Sequence, residues 1–507
     1  MKTSSLIKSL MSCGFFLAAV GLQAEQKQPN VVILYADDMG YGDLGIQNPN
    51  SKIPTPHLDQ LASEGMRFTD GHSSSGICTL SRYALLTGRY HWRKMHGIVH
   101  AFGESVFDAE EQTLPEMLQE QGYYTACIGK WHLGWDWDAI RKPEAGPVEM
   151  DARGVNKLPH FSEYNWDQSV PDGPLAHGFD HYFGDTVINF PPYAWIEDDK
   201  LTQAPTLQKD EELWKPLQEG NWECRVGPMV EGWDPYEVLP ELTRRAVSFV
   251  EGRQDEEEPF FLFMAFPAPH APIVPSAEFE GTSEAGPYGD FMVQTDWSCG
   301  QILDALKRSG LEEDTIVIFT ADNGAEHYAY PRALKYDHWS SEPFRGLKRD
   351  TYEGGHHVPF LVKWPGVVEP GSVSEAIISQ VDLMATLGEV AKAKIQQGAA
   401  EDSRSQLPVL TGEAAAVRTE IVHNTSASNY AVRRGDWVLI DAPSGDHNRK
   451  RSGEFEEMRG YPADDGQPVE LFNLRNDPSQ RRNVAKEYPE KVQELQALLK
   501  RIRKMDS

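Results

Sequence analysis

Four short stretches of this chain are apolar at nearly every position, and each stops abruptly at polar residues. Val31 to Tyr35 ends at Asp37-Asp38, and Ile316 to Phe319 ends at Asp322-Asn323-Gly324. "PFFLFMAFPAPHAPIVP" ends at His270 inside a proline-stiffened loop, and "GYYTACIGKWHLG" delivers Lys130 and His132 straight after its last apolar residues. Unbroken apolar runs of this length predict strands buried on both faces. Helical spacing appears between them, for example over Thr113 to Gln121 and Thr295 to Ser309. The alternation predicts an α/β fold, with a large, mainly parallel sheet flanked by helices. From about Gly398 the chain turns polar and rich in small residues, as a linker does. Beyond it, "YAVRRGDWVLID" and "VELFNLRNDPSQRRNVA" read as antiparallel strands with tight turns. Val492, Leu495, Leu498, Leu499 and Ile502 share one face of a last helix. The expected organisation is a large domain over residues 25–397 and a smaller C-terminal α+β subdomain, with an antiparallel sheet, over 398–507.

Residues 1–24 read as an export leader. Lys2 and Lys8 give a positive start, Gly14 to Leu22 is mostly apolar, and Leu22-Gln23-Ala24 fits a cleavage site. That stretch is short for a membrane span, and no later segment approaches the necessary length. Cys13 precedes the apolar stretch, which argues against lipidation. The expected protein is therefore exported, periplasmic or secreted, with no membrane insertion. The formal charge is −29, two units more negative once the leader lysines are gone. Such a charge argues against nucleic acid as a partner and obliges an anionic substrate to find a locally basic pocket. Cys78, Cys127, Cys224 and Cys299 lack the spacing of a zinc site or a disulfide-rich module.

In parallel sheets, sites assemble where the C-terminal ends of strands meet. Here those ends carry Asp37, Asp38, Lys130, His132, His270, Asp322 and Asn323. Each alone has a plainer explanation: Asp-Asn-Gly is a common turn, and a histidine between prolines can be an ordinary loop residue. Together, three carboxylates and an amide are hard oxygen ligands, suited to Ca²⁺ or Mg²⁺. "GICTLSRYALLTGRY" reads as a loop entering a helix, with Cys78 at the entrance. The positive end of a helix dipole predicts a readily ionised thiol there, and a buried structural cysteine is the alternative. Arg345, Lys348 and Arg349 form either a solvated basic run or part of a pocket. Residues 131–233 hold eight of the 13 tryptophans, whose faces suit sugar rings or simple packing.

Seven motifs in order, "PNVVILYADDMGYGDLG", "PTPHLDQLASEGMRFTDGHS", "CTLSRYALLTGR", "GKWHLG", "PHAPIVP", "TADNG" and "RGLKRDTYEGG", carry a resemblance. The chain resembles the formylglycine-dependent type I sulfatases of the alkaline-phosphatase superfamily, near the arylsulfatase A and N-acetylgalactosamine-6-sulfatase branch. The similarity runs from about Asn30 to the C-terminus and is weakest from Asp138 to Val230. It implies that a maturation enzyme oxidises Cys78 to formylglycine. It further implies that Asp37, Asp38, Asp322 and Asn323, with the modified Cys78, bind one Ca²⁺. By the same resemblance, Arg82 and Lys130 would hold the nucleophile and sulfate oxygens, and Lys348 would bind the sulfate. His270 would protonate the leaving oxygen, and His132 would take a proton from the second hydroxyl of the hydrated aldehyde.

The implied activity is calcium-dependent hydrolysis of sulfate esters on the sugars of a sulfated glycan. "HGFDHYFG" is similar to a segment near the family's sugar pocket, which makes His177 and His181 candidates for substrate contact. Two positions depart from the family. Leu80 stands where proline or alanine usually follows the cysteine by two, and His357 stands where relatives commonly carry arginine, a place that bears on substrate contacts. Leu80 keeps a second reading open, a glycan-binding pseudo-enzyme that is never matured. A phosphodiesterase or phosphonate hydrolase of the same superfamily is the rival within the enzymes, and "CTLSR" with "GKWHLG" argues against it.

Overall fold

The computed structural model describes residues 27–146, 158–214, 219, 224–447, 453–462 and 466–504. The expected export leader lies outside the described residues. A ten-stranded sheet forms the centre, in the order Ser372–Ser374, Met66–Phe68, Phe360–Lys363, Thr315–Ala321, Asn30–Ala36, Phe260–Ala265, Tyr124–Gly129, His181–Gly184, Ile196–Glu197 and Lys200–Leu201. The five strands from Thr315–Ala321 to His181–Gly184 are parallel, with Val31 in register between Phe261 and Ile316. Antiparallel pairs lie towards the two edges. The mainly parallel α/β architecture expected from the apolar runs is the one observed.

All seven residues of Asn30–Ala36 are buried, which is why that strand shows no polar alternation. Each fully buried valine, isoleucine or leucine there contributes about 1.5–3 kcal/mol. Two groups of helices flank the sheet. Pro56–Glu64, Val238–Gly252 and Gly286–Arg308 pack together, as do Cys78–Thr87, Leu114–Gln119 and Asp382–Val390. Thr113 caps Leu114–Gln119: its hydroxyl accepts from Glu116 N, and the Glu116 carboxylate accepts from Thr113 N at 2.8 Å. The helix expected from Thr295 begins earlier, at Gly286. Gly286, Pro287 and Gly289 disguise its first turn, where proline's missing N–H has no intrahelical bond to lose.

In the C-terminal region, Glu420–Ser426, Asn429–Arg434, Trp437–Ile440 and Glu470–Asn473 form a four-stranded antiparallel sheet. The helix Pro489–Arg503 packs Leu495, Leu498 and Leu499 onto Val422, Val432, Leu439 and Leu471. Ala84, Tyr90 and Trp92 join that cluster, so the small sheet is built against the segment that carries Cys78. Among the described residues no helix is long and apolar enough to cross a membrane, and Cys78, Cys127, Cys224 and Cys299 are all buried.

Candidate active site

The C-terminal ends of the parallel strands meet at one place. Asp37 N donates to Ala268 O and Asp322 N to Ala36 O, both at 3.0 Å, which ties three strand ends together. Gly129 turns the chain at the end of its strand with φ +114°, and a Cβ there would meet Ala265 O at 2.0 Å. The next residue, Lys130, donates its N–H to that same carbonyl and sends its side chain inward. Thr79 Oγ1 donates to the carbonyl of His132 at 3.2 Å, joining the Cys78 helix to this turn.

Arg82, Lys130 and Lys348 face Asp37, Asp38 and Asp322 at the site, and all six are buried. Lys130 Nζ lies 2.5 Å from Asp37 Oδ2, and Lys348 Nζ 2.5 Å from Asp38 Oδ1. Arg82, one helical turn after Cys78, donates Nε and an Nη nitrogen to Asp322 Oδ2 at 3.2 and 2.9 Å. Its other Nη nitrogen donates to Lys130 O at 3.1 Å. Burial alone would raise Asp37, but Lys130, His270, Arg82 and Lys348 hold its carboxyl well below the usual range. Asp322 goes the other way, pushed up to about 7 by burial and by the neighbouring Asp37. Against the pull of burial, Asp38 raises Lys348 and keeps it protonated.

Three buried oxygens in this cluster have no hydrogen-bond partner: Asp37 Oδ1, Asp38 Oδ2 and Asn323 Oδ1. Asn323 Nδ2 donates to Asp38 Oδ1 at 2.7 Å and to Gly324 O, which fixes the amide's orientation. Unpartnered acceptors at this depth are costly, and hard oxygens of this kind fit a divalent cation such as Ca²⁺.

His132 Nε2 lies 2.9 Å from Val99 O, and a carbonyl can only accept, so Nε2 carries the proton. Nδ1 is left as a buried lone pair with no partner. Burial, with Lys130 and Arg82 nearby, pulls this imidazole well below its ordinary range. It is a neutral base. His270 sits between two cis prolyl bonds, with Nδ1 donating to Ala271 O and Nε2 3.7 Å from Asp38 Oδ2.

Cys78 begins the helix Cys78–Thr87, every residue of which is buried. Its thiol departs from the expected ready ionisation. Burial pushes it up, Lys130 and Lys348 pull the other way, and Asp322 and Asp37 add to the rise. Burial, the largest of these effects, opposes the pull of the helix dipole. Of the basic run, Lys348 enters the site. Arg345 instead donates to Gln480 O, and Arg349 pairs with Glu326.

Each of the three histidines expected at the substrate has partners within the protein. His177 Nε2 is 3.0 Å from Asp172 Oδ1 and 3.1 Å from Ser105 Oγ, and its ring packs 4.3 Å from Phe107, so it anchors the start of the Leu114–Gln119 helix. His181 opens its strand opposite Ala126, at the end of the sheet away from Lys130, and pairs with Asp198. His357 spends both ring nitrogens, on Glu353 Oε2 at 3.0 Å and Thr69 O at 2.9 Å. Packing claims five of the eight tryptophans, Trp131, Trp135, Trp137, Trp166 and Trp233, which are buried in the main core; Trp195 and Trp214 are partly buried against it, and Trp222 lies outside the described residues.

One acid escaped the sequence reading. Asp185 follows the last residue of His181–Gly184, is buried, and its carboxylate oxygens have no partner beyond its own backbone. Burial, with Asp37 adding to it, pushes the carboxyl up to about 7 against the opposing pull of Lys130 and Arg82. Its signal is the one that marks the other strands, an acid at the strand end.

The sequence profile of the Sulfatase family matches residues 29–393. The chain belongs to the sulfatase family. It is similar to the N-acetylgalactosamine-6-O-sulfatase of Bacteroides thetaiotaomicron, at 33% identity over 94% of this chain and 93% of that protein. It is likewise similar to arylsulfatase A of Bos taurus, at 31% identity over 92% and 85%. A solved Bacteroides thetaiotaomicron chain, described under the metabolism of multiple glycosaminoglycans, superposes with a TM-score of 0.77 at 28% identity, covering 94% of this chain and 99% of that one. The sulfatase described here is thus a sulfuric ester hydrolase of the alkaline-phosphatase superfamily, in the arylsulfatase A and N-acetylgalactosamine-6-sulfatase branch.

Proposed function

We propose that this sulfatase is exported, depends on Ca²⁺, and removes sulfate from sugars of a sulfated glycan after a maturation enzyme converts Cys78 to formylglycine. The observation that carries the metal is the trio of unpartnered oxygens on Asp37, Asp38 and Asn323. Asp322 and residue 78 complete the proposed ligand set. The cation, when bound, supplies positive charge beside the nucleophile and the sulfate oxygens. Formylglycine supplies a hydrated aldehyde, which a thiol cannot replace, because a sulfated thiol has no second hydroxyl with which to expel sulfate.

The chain's own residues do the rest. Lys130 and Lys348 present buried ammonium groups that hold an anionic sulfate without solvent competition. The Arg82 guanidinium is committed to Asp322 and Lys130 O, so its part is to hold the cluster together and add positive charge. His132 Nδ1 accepts a proton, and His270 Nε2 donates one to the leaving oxygen. A glycan substrate is favoured by the name of the relative that spans nearly the same length. The export reading rests on Lys2, Lys8 and the apolar stretch after them. The division near residue 398, into catalytic domain and C-terminal subdomain, belongs to the same proposal.

The test is sulfate release from N-acetylgalactosamine 6-sulfate by Ca²⁺-loaded protein from its native host, beside phosphate mono- and diesters of matched leaving groups. Preference for the sulfated sugar is expected, and preference for a phosphate ester would overturn the reading.

A further inference from the structure

We propose that Arg349, held beside Lys348 by the buried Glu326, is a specificity-determining residue that receives a second anionic group on the sulfated substrate, an assignment that rests on the sugar-sulfatase reading above. Arg349 follows Lys348 directly in the chain, yet the two side chains stand at different depths. The Lys348 side chain is 4% exposed, whereas 40% of the Arg349 side chain is open to solvent. Arg82 and Lys130 are fully buried as well. A group outside the sulfate pocket can therefore reach Arg349 but not those three cations.

The backbone fixes that position. Arg349 takes up a left-handed conformation, φ +79°, which is uncommon for a residue other than glycine. Its N–H donates to Gly76 O at 2.7 Å, two residues before Cys78. Lys348 N donates to Ala325 O at 2.9 Å, next to Glu326. The approach to Gly76 is close, since a Cβ on that glycine would lie 3.0 Å from Arg349 N. Arg349 is thus pinned between the segment that leads to Cys78 and the one that follows Asp322 and Asn323.

Glu326 sets the charges. Its carboxylate oxygens divide between the two cations: Oε1 accepts from Arg349 Nη1 at 2.6 Å, and Oε2 lies 4.0 Å from Lys348 Nζ. The guanidinium therefore stands one carboxylate's width beyond the lysine. Oε1 also accepts from His327 N at 2.8 Å and lies 2.7 Å from His327 Nδ1. Burial alone would raise Glu326, but Arg349, the bond from His327 and Lys348 hold it well below the usual carboxylate range. A fixed negative charge this close to Lys348 weakens the lysine's hold on an anion. Arg349 offsets that charge, and its planar fork of donors is shaped for a carboxylate or a sulfate.

With a formal charge of −29 the chain as a whole repels anions, so a half-exposed arginine beside an anion pocket gives a local pull that the rest of the surface lacks. A substrate with a single sulfate engages Lys348 alone of the pair. One that carries a second anionic group, a carboxylate or another sulfate on the same or the adjoining sugar, engages both. The single bridging carboxylate sets the reach between the two cations, and that reach matches the scale of a sugar residue.

Full-length, Ca²⁺-loaded, formylglycine-containing protein is compared with Arg349→Gln and Arg349→Lys on three substrates. These are N-acetylgalactosamine 6-sulfate, N-acetylgalactosamine 4,6-disulfate, and N-acetylgalactosamine 6-sulfate linked to a hexuronic acid. On at least one doubly anionic substrate, Arg349→Gln should lose about 10-fold more kcat/KM than on the monosulfated sugar, mostly through KM. Arg349→Lys should lose less than Arg349→Gln there, and it carries the comparison alone should Arg349→Gln misfold. Whichever doubly anionic substrate suffers identifies the group as sulfate or carboxylate. Equal losses on all three substrates, as an ion pair that only shapes the site would give, overturn the proposal, and so does no loss on any. Should the wild type release no sulfate from any of these sugars, it is the sugar reading that fails. The same ratio, measured on aryl sulfates with and without a ring carboxylate, then decides for or against Arg349.

Discussion

His132 donates Nε2–H to the carbonyl of Val99 at 2.9 Å, and that one bond makes Nδ1 the ring's only lone pair. Burial holds the ring neutral. A histidine with a lowered pKa keeps its base form as pH falls, so the acid side of the kcat/KM profile should stay level through pH 6. His132→Gln should lower kcat by about 10²–10⁴-fold with little change in KM. A wild-type acid limb centred near the ordinary imidazole value, absent from the variant, would show that the ring is not held neutral.

The unpartnered oxygens of Asp37, Asp38 and Asn323 make a second expectation. Chelation should abolish sulfate release, and Ca²⁺ should restore it. Asp322→Ala should lose both metal and turnover, the latter by about 10²-fold or more, since its carboxylate also fixes Arg82. Metal content measured beside activity checks this. A fully active, metal-free preparation sinks it.

His91 ties the chain after the Cys78 helix to the small sheet. Asn424 Nδ2 is spent on Ser426 O and Asn429 O, so its Oδ1 accepts from His91 Nε2 at 3.2 Å. Burial pushes His91 down from 6.5 to about 3. Between those values the unfolded chain holds more protons than the folded one, so His91's contribution is complete above pH 6.5 and declines as pH falls through the window. At pH 5 the loss is about 2 kcal/mol, at 1.36 kcal/mol per pKa unit. Urea melts at pH 7 and pH 5 should therefore show wild type losing about 2 kcal/mol more than His91→Asn. Equal losses would mean that His91 titrates normally when folded.

The strands were readable because burial on both faces removes the polar alternation that otherwise hides them, as in Val31 to Tyr35. The acids were readable because a parallel sheet gathers its strand ends, so Asp37 and Asp322 meet although 285 positions separate them in the chain. What spacing does not reveal is how far a residue lies from the gathered strand ends: His181 opens its strand at the end of the sheet away from Lys130. Nor does it show burial, which opposes the helix dipole at Cys78. The neighbours of His357 come from Thr69 and Glu353, and the stacking of His356 on His423 depends on docking of the small sheet.

In the proposed maturation, Leu80 bears on the oxidation of Cys78. Its side chain is fully buried, but the first intrahelical bond runs from Ser81 N to Ile77 O, so proline at position 80 would break none. Leu80→Pro should fold with a packing loss of about 2 kcal/mol. In a foreign host it should raise the formylglycine fraction at Cys78, read by peptide mass spectrometry. Native protein that is active with unmodified cysteine would overturn the mechanism. Native protein that is inactive and unmodified would favour the pseudo-enzyme.

His270 separates chemistry from positioning. Its Nδ1 proton is committed to Ala271 O, so only Nε2, 3.7 Å from Asp38 Oδ2, is placed to protonate a leaving oxygen. A sugar alcohol is a poor leaving group and needs that proton, whereas an activated phenolate leaves with little help. His270→Ala should therefore slow a sugar sulfate by about 10²–10⁴-fold and an activated aryl sulfate far less. The ratio of the two losses is the measurement, because a defect in metal or sulfate binding would depress both substrates alike. Equal losses would reassign His270 to holding Asp38 and the sulfate, and the proton for the leaving oxygen would then have to come from another group, with Lys348 the nearest cation bound to the same carboxylate.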